Sequence, residues 1–217
     1  MDFQAMRRTM VDTQIRVNDV TEFDIIDAFL TVPRELFVPR SAVGIAYSEI
    51  EIETSDQRAL WTPRDFSKLL KAAEPKPSDL ALFVGAGAGY EASVVSQVVD
   101  TVIALEEDTA LVEQMTERFG EIGLDSIVAV EGEMSAGLAD QAPFDVIIIG
   151  GMVETVPDIW LQQLSDGGRL AVVVQVDRDL GKARIYTKSD QTIGYRDVFD
   201  CRPPKFAAFN KAPAFEF

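Results

Sequence analysis

Histidine is absent from all 217 residues, and cysteine occurs once, at Cys201. The first absence removes His-based triads and imidazole metal ligands. The second removes an internal disulfide and any Cys/His zinc cluster. No metal site is therefore expected. Basic residues are scarce beside acidic ones, 20 Lys and Arg against 36 Asp and Glu, for a formal charge of −16. A surface of that sign repels a phosphate backbone, which argues against a nucleic-acid partner. Apolar runs of membrane-spanning length are lacking, and the opening MDFQAMRRTM has no signal-peptide core. A cytoplasmic protein without a membrane partner is the expectation. No internal repeat, low-complexity stretch or linker divides the chain, and its length suits one core. A single domain over 1–217 is expected, with 1–60 as a helical and extended cap and 61–217 as the core.

What is present centres on ALFVGAGAGYEASVVSQ, Ala81 to Gln97. Leu80 to Val84 is too short for a helix and suits a strand buried on both faces. Gly85, Ala86, Gly87, Ala88 and Gly89 follow, with no side chain larger than a methyl. From Tyr90 onward Ala92, Val95, Val98 and Val99 recur at helical spacing. A strand, a glycine turn and a helix open a βαβ unit, and such a turn lets a ligand approach the backbone. A dinucleotide fingerprint requires Gly-x-Gly-x-x-Gly; here the third glycine comes one residue early and Tyr90 fills the next position. Taken alone, the turn reads equally as a ligand cradle or as structural punctuation.

Around it, strands and helices alternate. Phe3, Met6, Met10 and Ile15 suggest an N-terminal helix, and Thr21 a cap for a second helix through Ile25, Ile26 and Phe29. Pro33 and Pro39 bracket what reads as a short extended piece. YSEIEIE, Tyr47 to Glu53, alternates as a half-exposed strand, and TSDQRALW reads as a loop. Thr62 and Pro63 suit the cap and first turn of a helix through Phe66, Leu69, Leu70 and Ala73. Further strands are expected at Thr101 to Leu105, Ile127 to Val130, FDVIIIGG (144–151) and RLAVVVQV (169–176). The last two are separated by a short helix, Pro157 to Leu164, and a DGG turn. An antiparallel pair, Lys182 to Lys188 with Thr192 to Phe199, closes the chain. Glu106 stands at the carboxyl end of its strand, the edge where open parallel sheets bind ligands, and its carboxylate can accept from both hydroxyls of a ribose.

Gly-x-Gly-x-Gly resembles motif I of class I S-adenosylmethionine-dependent methyltransferases. The strings VDTQIRVNDV, VPRELFVP, FVGAGAGYEASVVSQ, TVIALEED, PFDVIIIGG and LSDGGRLAVVV together resemble the protein-L-isoaspartate O-methyltransferase family, across almost the whole chain. That resemblance implies an α/β fold with a Rossmann-like seven-stranded sheet. The sheet would be mostly parallel with a C-terminal antiparallel pair, helices on both faces and an N-terminal helical layer. It also implies S-adenosylmethionine as cofactor and a protein or peptide substrate whose isoaspartyl carboxylate receives the methyl group. By the same resemblance Gly85, Ala86, Gly87 and Gly89 line the cofactor pocket, Glu106 holds the ribose hydroxyls and Glu133 lies near the adenine. Such transfer needs alignment more than acid–base chemistry, so the lack of histidine is no obstacle.

Two positions depart from the family pattern. Trp61 stands where the family carries a serine, with Thr62 offering a hydroxyl one residue along, although that hydroxyl also suits an N-cap. Phe83 stands where an acidic residue contributes to the cofactor site. Both replacements motivate a second reading, a non-catalytic module that keeps the fold for binding or regulation. The string DCRPPKFAAFNKAPAFEF does not match the family's usual ending. The glutamates at 49, 51 and 53 read as a solvated face and Cys201 as a spare thiol.

Overall fold

The computed structural model describes residues 1–55, 57–178, 180–190, 192–206 and 209. The spacing of Phe3, Met6 and Met10 yields α1 (Phe3–Met10), where the Asp2 carboxylate accepts the Ala5 N–H at 3.0 Å. It continues through a π-helical turn (Val11–Ile15) and a 3-10 turn (Arg16–Asn18), and ends where Asp19 adopts φ 63°. α2 (Phe23–Thr31) buries Ile25, Ile26 and Phe29; Glu22, not Thr21, occupies its N-cap position.

The extended piece expected between Pro33 and Pro39 is instead a 3-10 turn, Arg34–Leu36, followed by another, Arg40–Ile45. Arg34 accounts for the difference. It is 1% exposed, and its guanidinium donates to the carbonyls of Ala46 and Trp61, each at 2.7 Å. A buried cation needs such acceptors, and a compact turn delivers them where a strand would not. The expected TSDQRALW loop forms most of a hairpin, β1 (Ile52–Ser55) and β2 (Arg58–Leu60), so the strand anticipated from Tyr47 starts only at Ile52. α3 (Pro63–Ala73) follows, with Thr62 Oγ1 accepting the Asp65 N–H at 3.3 Å and Pro63 at its first position.

The second half of the chain alternates as its apolar runs require. β3 (Leu80–Val84), α4 (Tyr90–Val95), β4 (Thr101–Glu106), α5 (Thr109–Glu121) and β5 (Ile127–Glu131) come first. β6 (Phe144–Val153), α6 (Asp158–Gln162), β7 (Leu164–Asp177), β8 (Leu180–Ser189) and β9 (Thr192–Cys201) follow. The expected DGG turn lies inside β7, where the pairing with β6 shifts register. The sheet order is β5-β4-β3-β6-β7-β8-β9. β3 to β7 are mutually parallel and β8 is antiparallel to both neighbours, so the seven-stranded, mostly parallel α/β sheet is as expected.

Alternation along β3 divides the core in two. Ala81 and Phe83 face one layer with Met10, Phe29, Phe66, Tyr90, Met115 and Phe119, so the cap and α1 to α5 all pack on that side. Leu82 and Val84 face the other, with Met134, Trp160, Phe206 and Phe209. Among the described residues, that second face carries α6, short turns, Phe206 and Phe209.

Candidate functional site

From β3 the chain steps outward through β4 to β5, whereas β6 pairs on the opposite side of β3 and leads to β7. The carboxyl ends of β3 and β6 therefore frame the point where strand order reverses, the position at which open α/β sheets bind ligands. The glycine turn closes this point because three of its residues need conformations that Cβ disfavours: φ is +74° at Gly85, +54° at Gly87 and +89° at Gly89. The Gly85 and Ala86 N–H groups both donate to the Leu105 carbonyl, at 2.8 and 3.2 Å, pinning the turn to β4.

Glu106, at the end of β4, has no exposed surface. Its Oε2 accepts the Gly87 N–H at 2.9 Å and Arg58 Nε at 3.0 Å. Its Oε1 accepts Arg58 Nη2 at 2.7 Å and the Glu107 N–H at 3.0 Å. Burial alone would push this carboxyl up. The Arg58 guanidinium and the Gly87 and Glu107 amides outweigh that and hold it below the ordinary glutamate value.

The space over the turn is occupied by side chains. Phe206, 3% exposed, presses its ring so closely on the turn that a Cβ on Gly85 would stand 2.3 Å from its Cζ, and one on Gly151 2.8 Å from its Cδ1. Met134 Sδ lies beside the same spot, 3.1 Å from that Gly85 Cβ position. The Arg58 guanidinium lies 5.1 Å from the Phe206 ring centroid. Met152 fixes the Phe206 segment from β6: its N–H donates to the Pro204 carbonyl at 2.7 Å, and its carbonyl accepts the Phe206 N–H at 2.9 Å.

The structure thus brings Gly85, Ala86, Gly87, Gly89 and Glu106 together, as the sequence pattern implies. Glu133 shares no hydrogen bond with them. It is exposed, follows the end of β5 and accepts the Ser135 hydroxyl. Thr62 caps α3. Trp61, 1% exposed, is a girder: its indole N–H donates to the Gly150 carbonyl at 2.6 Å and its backbone N–H to Glu91 Oε1 at 3.0 Å. Phe83 points away from Phe206, 6.3 Å from the Phe66 ring centroid, and its Cε1 would lie 2.9 Å from a Cβ on Gly150. It belongs to the packing under the turn. Among the described residues no group of acidic and cysteine side chains could hold a metal ion.

Arg58, Phe206 and Met134 escape a reading of the sequence. Arg58 sits in a short polar stretch without periodicity. Phe206 and Phe209 stand three residues apart in the string KFAAF, in a tail that also holds Phe215 and Phe217, and nothing in that composition marks Phe206 as the one that reaches the glycine turn.

The family model for protein-L-isoaspartate(D-aspartate) O-methyltransferase matches residues 5–202. A protein-L-isoaspartate O-methyltransferase of Koribacter versatilis is 32% identical over 172 residues, covering 79% of this chain and 78% of its own. One of Geobacter metallireducens is 29% identical over 202 residues, covering 93% and 94%. A solved protein-L-isoaspartate O-methyltransferase superposes with TM-score 0.81 at 23% identity, over 93% of this chain and 66% of that longer one. A Plasmodium falciparum structure of the same description, in complex with S-adenosyl-L-homocysteine, gives 0.78 at 18% identity over 94% and 98%.

Proposed function

Because the chain belongs to the protein-L-isoaspartate(D-aspartate) O-methyltransferase family, we propose that it transfers the methyl group of S-adenosylmethionine to the free carboxylate of isoaspartyl residues in proteins or peptides. The observation that carries this reading is the family match over residues 5–202 together with a glycine turn set against a buried carboxylate at the strand-order switch. Gly85, Ala86, Gly87 and Gly89 line the cofactor's place, Glu106 accepts from the ribose hydroxyls and Glu133 faces the adenine side. The residue types fit such a ligand: positive φ admits it close to the backbone, and a carboxylate whose two oxygens each accept a donor from Arg58 can accept two from a diol in its place. The arrangement fits only once Arg58 and Phe206 give up the space they fill.

When bound, S-adenosylmethionine supplies a methyl group on a positively charged sulfur. The task of this chain is to hold the acceptor carboxylate in line and to exclude water, so no proton-transfer residue is assigned. Thr62 is left to its capping role. One domain, with 1–60 as cap, is supported by a core layer shared between the cap and β3; the part of the core range from 210 onward lies outside the described residues. A buried, unpaired Cys201 agrees with a reducing, cytoplasmic setting. The acidic surface agrees with a protein rather than a nucleic-acid substrate.

Incubation with labelled S-adenosylmethionine and an isoaspartyl peptide tests this. A base-labile methyl ester is expected, and none on the matching normal aspartyl peptide. Absence of ester at cofactor concentrations shown by calorimetry to saturate the protein would overturn the assignment.

A further inference from the structure

We propose that Arg58 and Phe206 form a latch that closes the cofactor site from within, so that cofactor binding and latch opening are one event. The inference rests on the cofactor reading given above.

The first half of the latch imitates the ligand. A ribose diol would present two donors to the two oxygens of Glu106; the guanidinium presents Nε and Nη2 to those oxygens, at 3.0 and 2.7 Å, in the parallel two-bond geometry that arginine makes with carboxylates. A carboxylate with no exposed surface cannot be left without such donors, since an unpaired buried charge is strongly unfavourable. Arg58 and the diol are therefore substitutes, each satisfying Glu106 when the other is gone.

The second half fills volume. The Phe206 ring lies on Gly85 and Gly151, the two glycines through which the ends of β3 and β6 admit a ligand. No ligand reaches the Gly85 backbone from this face while the ring is there. The halves touch one another, the guanidinium standing 5.1 Å from the ring centroid, so withdrawal of one loosens the other.

Both halves stand outside the seven-stranded ladder, although withdrawing the Phe206 segment costs its bonds to Met152. Arg58 belongs to a two-stranded hairpin outside the seven-stranded order. Phe206 follows β9 and is tied to β6 by the two Met152 bonds. A cavity of about 710 Å³, lined by Glu51, Thr54, Arg58, Pro204 and Lys205, separates hairpin from tail. The guanidinium can swing into it, toward the Glu51 and Glu53 side chains that line the same cavity.

A ligand that needs the open state binds more weakly in proportion to the open fraction. Calorimetric titration with S-adenosyl-L-homocysteine compares the wild type with Arg58→Gln, Phe206→Ala and the double variant, each checked for folding by circular dichroism. The variants should bind tenfold tighter or more, and the double variant at least as tightly as the better single one. Hydrogen exchange on the wild type gives an independent reading: saturating ligand should speed exchange of the Phe206 amide, which opening frees from the Met152 carbonyl. Equal affinity in all four proteins, or a Phe206 amide no faster with ligand, overturns the latch while leaving the cofactor site in place. Absence of binding in every protein overturns the latch and the cofactor reading together.

Discussion

The indole N–H of Trp61 donates to the carbonyl of Gly150 at 2.6 Å, joining the residue two positions before α3 to the carboxyl-terminal half of β6. Gly150 is itself confined, because a Cβ there would stand 2.3 Å from the Gly85 carbonyl oxygen. Through this pair the cap side of the molecule sets the spacing of the two strand ends that frame the site. Trp61 thus acts as a structural tie, and Glu91 and Arg34 hold its backbone at either side.

Trp61→Phe keeps most of the buried area and removes the tie. The Gly150 carbonyl then lacks its donor, so the variant should be less stable by about 1–3 kcal/mol. Trp61→Ser restores the residue type of the family pattern but leaves a large void, with an expected loss of roughly 3–5 kcal/mol. Urea unfolding midpoints at constant slope measure both. A serine variant as stable as the wild type would show that Trp61 is not a structural tie.

Glu106 gives a pH dependence whose sign is fixed. Its folded value lies below the ordinary glutamate value of 4.5, so the unfolded chain binds its proton more readily. The stabilisation is complete above the ordinary value and is lost as pH falls through the lowered one. Arg58, paired with it, stays charged throughout, and the nearby Glu107 carboxylate competes weakly for the same guanidinium. Unfolding free energies of the wild type and Glu106→Gln, measured from pH 6 to pH 3, should converge as the pH falls. A gap that widens toward acid would contradict the pairing.

How much of this was legible follows element by element. Leu80–Val84, Thr101–Glu106 and the helix at 63–73 announce themselves because burial on both faces, or on one helical face, dictates their spacing. The glycine turn is legible because positive φ at three positions leaves glycine little competition. Phe83 reads as a lost acidic group only by comparison with a pattern; its ring in fact packs under Gly150 on the face away from Phe206. Arg58, Phe206 and Met134 were not legible, since they meet across separations such as 48 residues between Arg58 and Glu106. No local periodicity records such a contact. The 3-10 turn at Arg34–Leu36 was missed for the same reason, as its cause is two distant carbonyl acceptors.

Cys201 should resist labelling in the folded protein. The residue is 4% exposed, and burial, with the Asp65 carboxylate nearby, pushes its thiol up to about 12. At pH 8 the reactive thiolate is then about one part in ten thousand, against about a quarter for a free cysteine thiol. A disulfide reagent should therefore titrate no thiol in minutes under native conditions and one thiol per chain in guanidinium. Fast native labelling would place Cys201 at the surface.

The contact between Gly85 and Phe206 can be read out as an energy. Gly85→Ala places a methyl group in a φ +74° conformation, which costs about 1–2 kcal/mol whatever surrounds it. With Phe206 present the same methyl also meets the Phe206 ring, closer than contact allows, and forces the ring off the turn. In a Phe206→Ala background that second cost disappears and only the backbone strain remains. Unfolding measurements on the four members of the cycle should therefore give a coupling above about 1 kcal/mol, the range found for residues in direct contact. The sign also matters: Gly85→Ala must be less harmful with Phe206 removed than with it present. An additive cycle would mean that the ring does not rest on the turn in solution.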